Sequence, residues 1–110
     1  MLISWEDFEK LEIRVGTITE VSDFPKAKKP AYRLTVDFGE FGIRKSSAQI
    51  TRFYDRDQLV GMQVTAVLNF PNKKIADFVS ECLVLGVYAD PGSVVLLAPE
   101  RKVFNGSRVG

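Results

Sequence analysis

Hydrophobic and polar positions along the chain fall into two periods. At the start, Trp5, Phe8 and Leu11 recur every three residues, which places them on one face of a helix. Ser4, with Asp7 three positions on, resembles a capping box with Asp in the place of Glu. About two turns of helix gain their stability from packing, so this face either plugs one end of the body that follows or lies against a second subunit. From Glu12 the period drops to two. Ile13, Val15, Thr17, Thr19 and Val21 alternate with Glu12, Arg14, Gly16, Ile18 and Glu20, which predicts a long strand with Gly16 marking a bulge or bend. Asp23 to Pro30 is a polar, proline-bounded loop. Tyr32, Leu34, Val36 and Phe38 alternate with Arg33, Thr35 and Asp37 in a second strand. Gly39 to Gly42 makes a turn, and Ile43 to Ile50 completes a hairpin. Arg52 to Gly61 shows no alternation and suits a short helix or turn. Gln63 to Phe70 is a fourth strand, Pro71 to Lys74 a turn, and Ser80 to Tyr88 a buried, nearly all-apolar fifth strand. A turn at Asp90 to Ser93 and a sixth strand at Val94 to Leu97 follow, with a further turn at Asn105-Gly106.

Many short strands with one helical interruption between the third and fourth follow the plan of a five-stranded OB barrel. The expected fold class is therefore all-β: a five-stranded OB-fold barrel with a short N-terminal helix within residues 1–11 and extra C-terminal strands. A chain of 110 residues suits one domain, here 7–110, and no repeat or low-complexity segment interrupts it.

Composition narrows the chemistry. The chain has no histidine, which removes the commonest general base and the commonest zinc ligand. Its single cysteine, Cys82, leaves no internal disulfide and no thiolate cluster, and in the run Cys82-Leu83-Val84-Leu85 it reads as a buried thiol. No nucleophile–base pair, phosphate loop or calcium-type ligand spacing is present. Asp55 and Asp57 lie in a charged turn and read as solvated. The expectation is a protein with no catalytic residue, no metal and no cofactor. There is no basic-then-apolar leader and no window of roughly 18 apolar residues, so no membrane insertion is expected and the cytoplasm is the default compartment.

Net charge is only +1, yet its distribution is uneven. Acids dominate from Met1 to Asp23. From Phe24 to Arg52 the cations Lys26, Lys28, Lys29, Arg33, Arg44, Lys45 and Arg52 face only Asp37 and Glu40. One cationic face on a neutral protein is the reading that follows. Basic pairs at Lys28-Lys29, Arg44-Lys45 and Lys73-Lys74 are the dispersed cations that phosphate contacts need, and the second and third strands of an OB barrel commonly form its binding surface. Ser46-Ser47-Ala48-Gln49 puts small polar groups inside a strand, and Asn69 and Ser80 add more at strand ends, of the kind that orient a ligand in a concave site. Arg33, Arg44, Lys45, Ser47, Gln49, Asn69, Lys73, Lys74 and Ser80 are the expected RNA-binding residues. Phe53, Phe70 and Phe78 are the candidates for a hydrophobic peptide groove.

Three blocks, Leu11-Glu12-Ile13-Arg14-Val15-Gly16-Thr17-Ile18, Tyr32 to Gly39 and Asn69-Phe70-Pro71, resemble the tRNA-binding domain family. That family includes the carboxy-terminal appendage of methionyl-tRNA synthetases and the cytokine-like domain of endothelial monocyte-activating polypeptide. Lys45-Ser46-Ser47-Ala48-Gln49-Ile50-Thr51 and Phe78 to Gly86 are similar to its CsaA-type branch, described as protein-export chaperones. The resemblance runs from about Asp7 to Gly110. It implies an OB fold, a homodimer, and affinity for tRNA or, alternatively, for unfolded or precursor polypeptides. In the wider family a glycine, a serine and a methionine cluster in the segment matched by Asp77 to Leu83. Ser80 is the matching serine, Asp77 and Leu83 replace the other two, and Phe24-Pro25 stands at the family's histidine-proline. Leu83 and the lack of histidine are features of the CsaA-type branch, which the resemblance therefore favours.

Overall fold

The long first strand crosses from one side of the core to the other, and the fold is built around it. A computed structural model describes residues 1–110. Helix α1 (Trp5–Glu9) precedes β1 (Ile13–Asp23), β2 (Tyr32–Asp37) and β3 (Ile43–Ala48). Helix α2 (Arg56–Leu59) leads into β4 (Gln63–Val67). The short strands β5 (Lys73–Ile75), β6 (Phe78–Ser80), β7 (Leu83–Val84), β8 (Gly86–Asp90) and β9 (Ser93–Leu96) complete the chain. One sheet has the order β3-β2-β1-β4-β7, with every pairing antiparallel. It curls into a nearly closed barrel of the OB type. The hairpins β5-β6 and β8-β9 stand outside that sheet.

The seam between β3 and β7 is closed by single bonds instead of a ladder. The Glu81 amide donates to the Lys45 carbonyl (2.7 Å), the Lys45 amide to Glu81 Oε1 (3.0 Å), and the buried Ser46 Oγ to the Cys82 carbonyl (3.0 Å). These bonds give the polar groups of Ser46 and Cys82 partners inside the core, which a buried hydroxyl or carbonyl requires.

The alternation of β2 is borne out: Tyr32, Leu34, Val36 and Phe38 are buried, and Arg33, Thr35 and Asp37 face out. In β1 the expected alternation fails midway. Gly16 and Ile18 face the barrel core, whereas Ile13 and Val15 lie on the other side of β1, buried where the C-terminal tail runs alongside; the register against β2 slips only later, between Ile18 and Glu20. The bulge thus falls at Thr19, three residues beyond Gly16. Gly16 has a different role: a Cβ there would lie 2.6 Å from the Phe38 ring, so only glycine lets β1 pass over that ring.

Two further expectations are corrected. Lys73 and Lys74 begin a strand of the β5-β6 hairpin, where Pro71 to Lys74 was expected to be a turn. The run Ser80 to Tyr88 is broken among β6, β7 and β8, and much of it is exposed: Val87 is 50 % and Tyr88 87 % accessible. An unbroken apolar run fixes neither strand length nor what covers it. Helix α1 contributes no buried residue. Its capping box forms, with the Asp7 amide donating to Ser4 Oγ (3.0 Å) and the Ser4 amide to Asp7 Oδ2 (3.1 Å), yet Trp5 stays 85 % exposed. The helix that enters the core is α2, through fully buried Leu59.

The C-terminal tail returns alongside β1. The Val15 amide donates to the Ser107 carbonyl (2.9 Å), and the amides of Gly106 and Val109 donate to Val15 and Ile13. The β8-β9 hairpin is fastened by Tyr54, whose Oη accepts from the Leu96 amide (3.0 Å) while its carbonyl accepts from Tyr32 Oη (2.8 Å).

Candidate nucleic-acid interface

Antiparallel pairing sets the polar face residue by residue. Cross-strand partners place Ser22, Arg33 and Ser47 in one row over β1, β2 and β3, and Glu20, Thr35 and Lys45 in the next. Residues in such rows share one side of the sheet. A hollow of about 180 Å³ lies there, lined by Arg33, Thr35, Lys45, Glu20, Ser22 and Phe78. Arg33 is held in place: its Nε donates to Ser22 Oγ (3.2 Å), and its guanidinium carbon lies 5.7 Å from the Phe24 ring centroid. Phe24 in turn packs on Phe78, with centroids 5.3 Å apart.

The segment between β4 and β7 carries the other half of the site. Lys73 pairs with Ser80 and Lys74 with Val79 across the β5-β6 hairpin. A larger hollow of about 490 Å³ brings Ser47, Gln49, Lys73 and Ser80 together over an apolar floor that includes Ile75 and Leu83. Beside it, Phe70 and Pro71 line a hollow of about 260 Å³ that also touches Lys73 and Ser80. Lys45, Lys73 and Lys74 form no ion pair. Lys26 does: its Nζ lies 2.8 Å from Asp77 Oδ2. That hydrogen bond and the Lys26 charge hold the Asp77 carboxyl below the usual carboxylate range, with Arg33 adding a smaller pull.

Two of the expected RNA contacts are engaged within the fold. Arg44 pairs with Val36 and so faces the core side of β3, opposite to Lys45. Its Nη1 donates to the Leu68 carbonyl (2.7 Å) and reaches the Glu81 carbonyl (3.5 Å). Asn69 uses both ends of its amide on the chain: Oδ1 accepts from the Glu12 amide (2.9 Å) and Nδ2 donates to the Lys10 carbonyl (2.7 Å). It clamps the link between α1 and β1. The expected peptide-groove residues stand at three places. Phe78 borders the smaller hollow, Phe70 lies beside Lys73, and Phe53 sits in the turn before α2 with Arg52 5.7 Å from its ring. The apolar floor of the larger hollow and the Lys26–Asp77 pair were missed. Leu83 reads as strand core in a linear sequence, Ile75 falls between the expected elements, and nothing local marks a pair 51 residues apart.

Cys82 is buried beneath this region. Burial pushes its thiol up from an ordinary 9.0 to about 11, so it is neither a nucleophile nor a thiolate ligand at neutral pH.

An OB-type barrel with cations and small polar groups on its β1-β2-β3 face, flanked by the β1-β2 loop and the β4-β7 excursion, has the layout of a ligand-binding domain. A family model described as a putative tRNA binding domain matches residues 13–108. The methionine–tRNA ligase of Porphyromonas gingivalis is 38 % identical over 107 residues, which is 97 % of this chain. The chain spans only 15 % of the length of that relative. Among solved structures, the chaperone CsaA of Bacillus anthracis superposes with a TM-score of 0.96 at 46 % identity, covering 100 % of both chains. The CsaA chaperone protein of Picrophilus torridus gives 0.92 at 47 %, covering 99 % of this chain and 100 % of its own. The chain belongs to the putative tRNA binding domain family, and within it the structure is similar to CsaA chaperones along its whole length.

Proposed function

We propose that the chain is a non-catalytic RNA-binding domain that takes tRNA, or RNA of similar shape, on the surface running from the β1-β2-β3 face to the β5-β6 hairpin. The observation that carries this reading is the arrangement of Lys45, Lys73 and Lys74. None of their ammonium groups forms an ion pair; Lys45 and Lys73 line hollows shared with Arg33, Ser47, Gln49 and Ser80, and Lys74 follows Lys73 on β5. Unpaired lysines supply phosphate contacts, which fix position and carry little sequence information. Hydroxyl and amide groups beside them suit the 2′-hydroxyls and base edges of RNA. Arg44 and Asn69 leave the proposed contact set for the reasons given above. The cytoplasm is the compartment this reading implies, and no helix is long and apolar enough to cross a membrane.

Replacing Lys73 and Lys74 together with alanine removes two phosphate contacts. In a tRNA filter-binding assay the affinity is expected to fall, and the slope of log K against log salt to flatten by about 1.4 to 1.8. Unchanged affinity and slope would show that the hairpin is not the RNA face.

A second reading has its own observation. The floor of the 490 Å³ hollow is mostly apolar, and Phe70 extends that surface. This suits an unfolded or precursor polypeptide held by apolar side chains, a binding mode with little salt dependence. The exposed Trp5, Tyr88 and Phe104, at 85 %, 87 % and 91 % accessible, support a homodimer that covers them. Arg108 Nη2 already ties the tail to α1 through the Glu9 carbonyl (3.0 Å).

A further inference from the structure

The β1-β2 loop and the β5-β6 turn lie far apart in the sequence and meet in one exposed ion pair. Lys26 Nζ is 2.8 Å from Asp77 Oδ2, and the two side chains are 66 % and 63 % accessible. Beside the pair, the Phe24 and Phe78 rings pack at 5.3 Å, so the two segments are already joined by apolar contact. The ion pair adds little to that junction, because water and salt screen an exposed pair. Its position has another consequence. Phe78, the residue after Asp77, lines the 180 Å³ hollow together with Arg33 and Lys45. A carboxylate therefore stands at the lip of the cationic face and occupies one of its ammonium groups. These two segments are also the loops that border the ligand surface in OB barrels.

We propose that Asp77 sets the affinity of the RNA face. Its carboxylate holds the position on Lys26 that an RNA phosphate takes, so RNA engages this end of the face by displacing it. The inference rests on the RNA reading above. A polyanion that merely drifts onto the surface leaves the pair closed. One whose other phosphates are held by Lys45, Lys73 and Lys74 presents a phosphate to Lys26 at high local concentration and opens it. The pair thus favours RNA of the right shape over negative charge alone.

The test is tRNA binding by the wild-type protein, Asp77→Asn, Lys26→Ala and the double variant, each over a series of salt concentrations, with thermal melts to confirm folding. Asp77→Asn keeps the size of the turn residue and removes its charge. It is expected to bind tRNA about two- to fivefold more tightly, the scale of an exposed ion pair, with little change in salt slope, because Lys26 meets a phosphate in both proteins. That gain is expected to shrink once Lys26 is alanine, because no pair is then left to break. Asp77→Ser, run in parallel, should also tighten binding if the carboxylate is the cause. Equal affinities for wild type and Asp77→Asn, with salt-dependent binding intact in both, overturn the role of Asp77 and leave the RNA reading standing. A gain of the same size with and without Lys26 overturns the displacement, as does tightening by asparagine with weakening by serine. Absence of salt-dependent tRNA binding in all the proteins overturns the RNA reading and this role with it.

Discussion

Cys82 shows how one buried side chain ties stability to pH. Its folded pKa, about 11, stands above the ordinary 9.0 because burial disfavours the thiolate. A group whose pKa is raised by folding stabilises fully below its unfolded pKa, and that stabilisation is lost as pH rises towards the folded value. The contribution of Cys82 is therefore complete at neutral pH and declines between 9.0 and about 11. Two pK units correspond to about 2–3 kcal/mol. Urea denaturation at pH 8 and pH 10.5 is expected to show a larger loss of stability for the wild type than for Cys82→Ala, since only the wild type carries this titration. An identical loss in the two proteins would mean that the thiol is not desolvated. At pH 8 the native thiol is also expected to resist alkylation until the chain unfolds.

Adjacent residues on one strand do opposite things. Arg44 faces inward from β3 and satisfies the Leu68 carbonyl, whereas Lys45 faces outward and lines the hollow beside Arg33 and Thr35. Arg44→Ala leaves that carbonyl without its charged donor and is expected to lower stability by about 1–3 kcal/mol. Lys45→Ala is expected to leave stability within about 0.5 kcal/mol and to weaken tRNA binding. Paired melting and binding measurements on the two variants check this, and the reverse pattern would invert the assignment of the faces. The strand period contained this distinction, because neighbours in a strand point to opposite sides. Reading Arg44-Lys45 as one basic pair ignored it. In β2 the same period was legible without error, since a strand flanked on both sides within the barrel must alternate cleanly. The run from Ser80 to Tyr88 was not legible. Its apolar side chains record that something covers them, and a linear pattern does not distinguish the chain's own core from another molecule. Lys26 and Asp77 were out of reach for a different reason. Their pairing depends on how two loops lie in space, and no local periodicity encodes that.

At the scale of the whole molecule, the barrel carries cations on its β1-β2-β3 face and several exposed aromatic side chains, Trp5, Tyr88 and Phe104. A two-fold dimer that covers these three is the proposal their exposure supports. Sedimentation equilibrium at micromolar concentration should give about twice the 12.3 kDa of one chain, and Trp5→Glu should shift the equilibrium towards that single-chain mass. A wild-type mass of one chain would contradict the dimer.

The claim on which the rest depends is that the binding face reads RNA through its phosphates. The salt dependence of wild-type tRNA binding tests it most directly. With Arg33, Lys45, Lys73 and Lys74 as contacts, log K is predicted to fall linearly with log salt at a slope of about −3. A slope near zero, with binding that persists undiminished into high salt, would contradict the account and point to the apolar polypeptide surface instead.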